Sequence, residues 1–129
     1  YHLILQSNLE GFRPEELEIV ANVARYHRGA LPKKKHENFA RLSPADQQRV
    51  LNLSSILRLA GGLDRSHNQI IDSVKVDCSE NQVDLLVSSE TFPEVALWAA
   101  RRRAGWFEQV FDAELNIQWN GQTVSAPEK

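Results

Sequence analysis

Between Ala24 and His67 the chain gathers the side chains best suited to hold an anion. Arg25, Arg28, Lys33, Lys34, Lys35 and Arg41 stand against one acid, Glu37, a local charge of +5 in a chain whose formal total is −2. They flank the turn Gly29-Ala30-Leu31-Pro32. Cations packed this densely suit contact with a polyanion. A three-lysine run taken alone reads first as a solvated loop. Arg25 and Arg28 on the preceding turn, with Arg58 and Arg65 on the next helix, raise the binding reading, although Arg65 beside Asp64 equally fits a structural ion pair.

Other candidates carry less. His27 falls on the apolar line of its helix, where a histidine reads first as a hydrogen-bonded core residue. His36 and His67 sit in polar segments and are expected at the surface. Arg101, Arg102 and Arg103 occupy consecutive helical positions, which point about 100° apart, so they are not expected to form one patch. Cys78 has no partner cysteine and is given no chemistry. No Walker-type loop, nucleophile elbow or paired catalytic carboxylate occurs, so no catalytic residue is assigned.

Two of these segments resemble a known family. Tyr26-His27-Arg28, followed by Pro32-Lys33-Lys34-Lys35-His36, and the later run Leu57-Arg58-Leu59-Ala60 with Leu63-Asp64-Arg65-Ser66-His67 are similar to the C-terminal part of the exopolyphosphatase / guanosine pentaphosphate phosphatase (Ppx/GppA) family. Leu97-Trp98-Ala99-Ala100-Arg101-Arg102 and Trp106-Phe107-Glu108-Gln109-Val110-Phe111 fit that family's tail. The resemblance implies an HD-like helical fold, with His27 lining its pocket. It also implies that terminal phosphate is hydrolysed by N-terminal actin-like domains of the same chain, where Mg²⁺ is expected. The HD metal set is not matched. There is no His-Asp dipeptide, and Arg58-Leu59-Ala60 is followed by Gly61, which has no ligand atom, where the family pattern places an aspartate. No metal or cofactor is therefore assigned to these residues.

The elements that must position these groups follow from period and punctuation. With 42% hydrophobic and 25% charged residues, the 129-residue chain has the balance of a folded globular protein. No apolar run has the length of a membrane span, and the single cysteine fits a reducing compartment, the cytoplasm. Tyr1-His2-Leu3-Ile4-Leu5 opens without a cap and reads as the end of a helix that began earlier, in a longer protein. Phe12-Arg13-Pro14 starts a helix whose stripe is Leu17, Val20, Ala21, Ala24 and His27, ended by Gly29 and Pro32. Ser43-Pro44-Ala45-Asp46 starts another, with Val50, Leu53, Ser54, Leu57 and Ala60 inward. Gly61-Gly62 reads first as its end, and second as a place where something approaches the backbone.

From residue 70 the period changes. Ile70 to Val76 and Gln82 to Ser88 predict a hairpin, Pro93 to Phe111 a helix, and Leu115, Ile117 and Trp119 a strand, with Asn120-Gly121 turning into a short return. The fold class expected is α+β: an HD-like helical segment over residues 1–69 and a small ββαβ unit over 70–129. The function expected is that of an accessory region of a Ppx/GppA-type phosphatase. Arg25, His27, Arg28, Lys33, Lys34, Lys35, Arg58 and Arg65 would extend a groove for inorganic polyphosphate or guanosine pentaphosphate, and the region would support homodimer contacts. Neither nucleic acid nor a membrane is an expected partner. A purely structural or dimerisation module is the rival; an HD metal-dependent phosphohydrolase is the third, weakened by its missing ligands.

Overall fold

A computed structural model describes residues 1–6, 9–64 and 70–123. Among them the chain is α+β, with five helices and a four-stranded mixed sheet. It forms two compact units, Tyr1–Leu57 and Arg58–Lys129. The change of period near residue 70 marks the approach to the first strand, whereas the division between units falls within a helix.

The first unit contains α1 (His2–Gln6), α2 (Pro14–Tyr26), α3 (Glu37–Ala40) and the beginning of α4 (Pro44–Leu63). α2 starts where proline costs no hydrogen bond, and the Arg13 amide donates to Glu16 Oε1 at 2.9 Å. It stops before Gly29, which adopts φ +69°. α4 is capped by Ser43, whose Oγ accepts from the Asp46 amide at 3.1 Å. Tyr26, Phe39 and Val50 form the core, with Ile19, Val23, Leu42 and Leu51 packed against it. Fully buried Asn22 ties α2 to α3 by donating to the carbonyls of Glu18 at 2.8 Å and Asn38 at 3.2 Å.

Both expected stripes need correction. On α2 only Ala21 of the expected line is fully buried; the core-facing line runs through Ile19, Val23 and Tyr26. On α4 Val50 and Ser54 are buried, but Leu53, Leu57 and Ala60 are exposed. Ser54 can be buried because its hydroxyl donates to the Val50 carbonyl at 2.5 Å. Several residue rows fit a 3.6-residue period, and the bulkiest apolar row is not the one that meets Tyr26 and Phe39.

In the second unit the sheet order is β1 (Ser73–Cys78), β2 (Gln82–Ser88), β3 (Glu114–Trp119), β4 (Gln122–Thr123). β1 and β2 are antiparallel, β2 and β3 parallel, and β3 and β4 antiparallel. The parallel pair requires a crossover, which α5 (Glu94–Phe111) supplies. Leu85 and Val87 of β2 share a face with Ile117 and Trp119 of β3, and the apolar side of α5, Leu97, Ala100, Ala104 and Phe107, belongs to the same core. β1 starts three residues later than expected, since Ile71 packs on that core ahead of the strand. Asn120 (φ 46°) and Gly121 (φ 88°) make the expected left-handed turn. α4 runs through both glycines to Leu63, and Gly62 marks a close approach: a Cβ there would lie 2.9 Å from Ala100 Cα and N on α5.

Candidate anion-binding surface

The basic loop is closed by the two ends of its own motif. Tyr26, the last residue of α2, is completely buried, and its hydroxyl lies 2.7 Å from Nδ1 of His36, the residue just before α3. The two rings are stacked, 5.6 Å between centroids and 14° apart in plane. Phe39 meets the Tyr26 ring edge-on at 6.0 Å. Aromatic packing and one hydrogen bond thus pin residues 27–35 as a loop on the first unit. The lysine turn is tightened by the His36 amide, which donates to the Lys33 carbonyl at 2.9 Å.

The charges on this loop act on one another. His36 is half-buried, and its pKa lies below the ordinary imidazole value, first through desolvation and then through the positive charges of Arg25, Lys35 and Lys33. Burial pushes the Tyr26 phenol up, with the Arg25 charge opposing it. Arg25 sits over the Tyr26 ring, 5.1 Å from its centroid. Arg25, Arg28, Lys33, Lys34 and Lys35 are all exposed, and none is ion-paired to an acid among the described residues.

His27 and Arg41 have partners of their own. His27 is half-buried and donates from Nδ1 to the Ala24 carbonyl, which finishes α2. Arg41, counted in the local +5, is committed: it donates to Glu18 Oε1 at 3.0 Å and to the Tyr1 hydroxyl at 2.9 Å, while that hydroxyl donates to Glu18 at 2.6 Å. Arg65 and His67 lie outside the described residues. Arg58 belongs to the second unit, where its guanidinium lies 5.3 Å from the Trp106 centroid.

There the three arginines of α5 do not gather as one patch, although two of them share a cleft. Arg101 turns aside to donate to the Leu115 carbonyl at 2.7 Å, but Arg102 and Arg103 meet Arg58 around a cleft of about 320 Å³ that also includes Trp98. Arg102 lies 4.7 Å from the Trp98 centroid, and Arg103 donates to the Ala99 carbonyl at 2.9 Å. Burial, and next the Arg103 charge, pull the Arg58 pKa below its ordinary value. Side chains 100° apart at Cα converge because the long guanidinium stems bend towards flat aromatic surfaces.

Among the described residues no three His, Cys, Asp or Glu side chains come together as metal ligands. None of their helices is long and apolar enough to cross a membrane. Residues 1–100 match the family model of Ppx/GppA phosphatase, domain III. The chain belongs to the Ppx/GppA phosphatase domain III family. No curated protein matches it. The motif that carried the resemblance is thus a structural device, since the tyrosine and histidine at its ends make the contact that frames the lysines of this domain III. His36 is the residue that sequence reasoning underrated. The signal was present, since Tyr26 and His36 bound the same motif, but spacing alone does not show that two ends of a loop stack.

Proposed function

We propose that this domain III serves a phosphoric anhydride hydrolase as an accessory region that retains the substrate's phosphate chain. Arg25, Arg28, Lys33, Lys34 and Lys35 hold inorganic polyphosphate, or the phosphates of guanosine pentaphosphate, while N-terminal domains with Mg²⁺ hydrolyse the terminal phosphate. His36 supports the loop, and Arg58 adds a cation in the second unit. The HD-like description of the first 69 residues, homodimer contacts and a cytoplasmic setting belong to the same reading. The observation that carries it is the gathering of five exposed cations on and beside one loop, none of them ion-paired to an acid among the described residues. Placing like charges together costs energy that an anion would recover.

The test is Lys33, Lys34 and Lys35 replaced together by alanine in the whole enzyme. Turnover of long polyphosphate should fall far more than turnover of a short substrate, because chain retention is lost while the chemistry lies elsewhere. Equal loss on both substrates, or on neither, removes the loop from the account. A second reading, a dimerisation module without ligand, is favoured by one feature: the strand at the edge of the sheet is open.

A further inference from the structure

β1 forms one edge of the sheet, and all six of its residues are exposed. Its apolar pair is out of place at a free surface, with Val74 41% and Val76 56% exposed. The register sets Val74 opposite Val87 and Val76 opposite Leu85, so both lie on the core face of the sheet, beyond the part that is buried. On the other face Asp77 stands opposite Asp84, a like-charged pair with no cation bridged to it among the described residues. The Ser79 amide donates to the Gln82 carbonyl. Because antiparallel hydrogen bonding alternates, the odd-numbered residues of β1 bond towards β2, and Val74, Val76 and Cys78 direct their amides and carbonyls outward.

From this we infer that β1 is a docking edge for a second copy of this chain, paired antiparallel to its own counterpart about a two-fold axis at Val76. The occupant follows from charge. A two-fold pairing must match outward-facing residues with each other, which leaves few registers. Centring on Lys75 sets lysine against lysine; centring on Asp77 sets aspartate against aspartate; centring on Val74 sets Lys75 against Ser73. Centring on Val76 places Lys75 of each copy opposite Asp77 of the other, at the closer, non-hydrogen-bonded positions. It also supplies a cation beside the Asp77 and Asp84 pair. On the opposite face Val76 meets Val76 of the second copy and Val74 meets its Cys78, continuing the apolar row across the junction. The sheet becomes one eight-stranded sheet, four strands from each copy. This deepens the homodimer contacts proposed above and rests on that part of the reading, independently of anion binding.

The test is disulfide trapping in the full-length protein carrying Val76→Cys with Cys78→Ser. Directly opposed strand residues lie within disulfide reach, so oxidation should join two copies at position 76, identified as a cross-linked peptide by mass spectrometry. Adding Lys75→Glu or Asp77→Lys alone should lower the yield roughly ten-fold, because each sets like charges opposite one another. Adding both should restore it, since the exchanged pair is again complementary. Absence of the cross-link in a protein that sediments as a dimer overturns this surface and leaves dimerisation standing; absence in a monomer overturns both. Equal yields from all four variants show a collision product and also overturn the pairing.

Discussion

The basic loop of the first unit and the arginine cleft of the second both gather positive charge, and they handle it in opposite ways. On the loop, Arg25, Arg28, Lys33, Lys34 and Lys35 are exposed and without acid partners among the described residues; desolvation first, and then the charges of Arg25, Lys35 and Lys33, lower the pKa of His36, and Arg25 lies over the Tyr26 ring. In the second unit Arg101 and Arg103 donate to carbonyls, while Arg58 and Arg102 lie over tryptophans. Guanidinium is weakly hydrated and planar, so it packs; ammonium stays in water and keeps its charge available. The arginines of the second cluster are engaged with carbonyls and rings, whereas Arg28 and the loop lysines have no acid partner among the described residues, as the proposed anion contact requires.

Charge reversal is the strongest way to break this contrast. Lys33, Lys34 and Lys35 changed together to glutamate should weaken long-chain polyphosphate binding by roughly 100-fold or more. Arg102→Glu with Arg103→Glu should change it by less than about three-fold while lowering the melting temperature, measured by titration and by thermal unfolding. A larger binding loss from the arginine pair would reverse the assignment.

Packing separates the units next. Gly62→Ala drives a Cβ onto the α5 backbone and should cost about 1–3 kcal/mol in denaturant unfolding. Nothing lies within 4 Å of the corresponding position at Gly29, so Gly29→Ala acts only through its positive φ and should cost about 1–2 kcal/mol. Tyr26→Phe removes the hydroxyl that meets His36 and should cost about 1 kcal/mol, with weaker polyphosphate binding as the loop loosens.

The smallest effect concerns pH. His36 has a lowered pKa in the folded chain, so the fold favours the neutral ring. That contribution is fully present above the ordinary imidazole value of 6.5 and is lost as pH falls below it towards the folded value. His36→Gln should flatten this part of the stability profile. Bound polyphosphate should shrink it too, because an anion offsets the charges of Arg25, Lys35 and Lys33. An unchanged profile in saturating polyphosphate would show that the anion binds away from His36.

Much of this fold was legible because it is punctuated. Pro14, Pro44 and Asn120-Gly121 mark element boundaries, and the alternation of Leu115, Ile117 and Trp119 gives β3 almost to the residue. The buried rows of α2 and α4 were not legible, because choosing among helical rows depends on the partner surface that Tyr26, Phe39 and Val50 create together. At the site, the lysines could be read as a charge cluster, whereas the spending of Arg41 on Glu18 and Tyr1 joins residues distant in sequence. Gly62 showed both meanings of a helical glycine, and only the position of Ala100 decides between them.

The central claim is that the loop lysines hold phosphate directly, and the salt dependence of polyphosphate binding tests it most closely. Each phosphate contact adds to the slope of log affinity against log salt, so alanine at Lys33, Lys34 and Lys35 together should reduce that slope by roughly two. A slope identical to that of the unaltered protein would mean that these lysines release no counterions on binding, and would contradict the account.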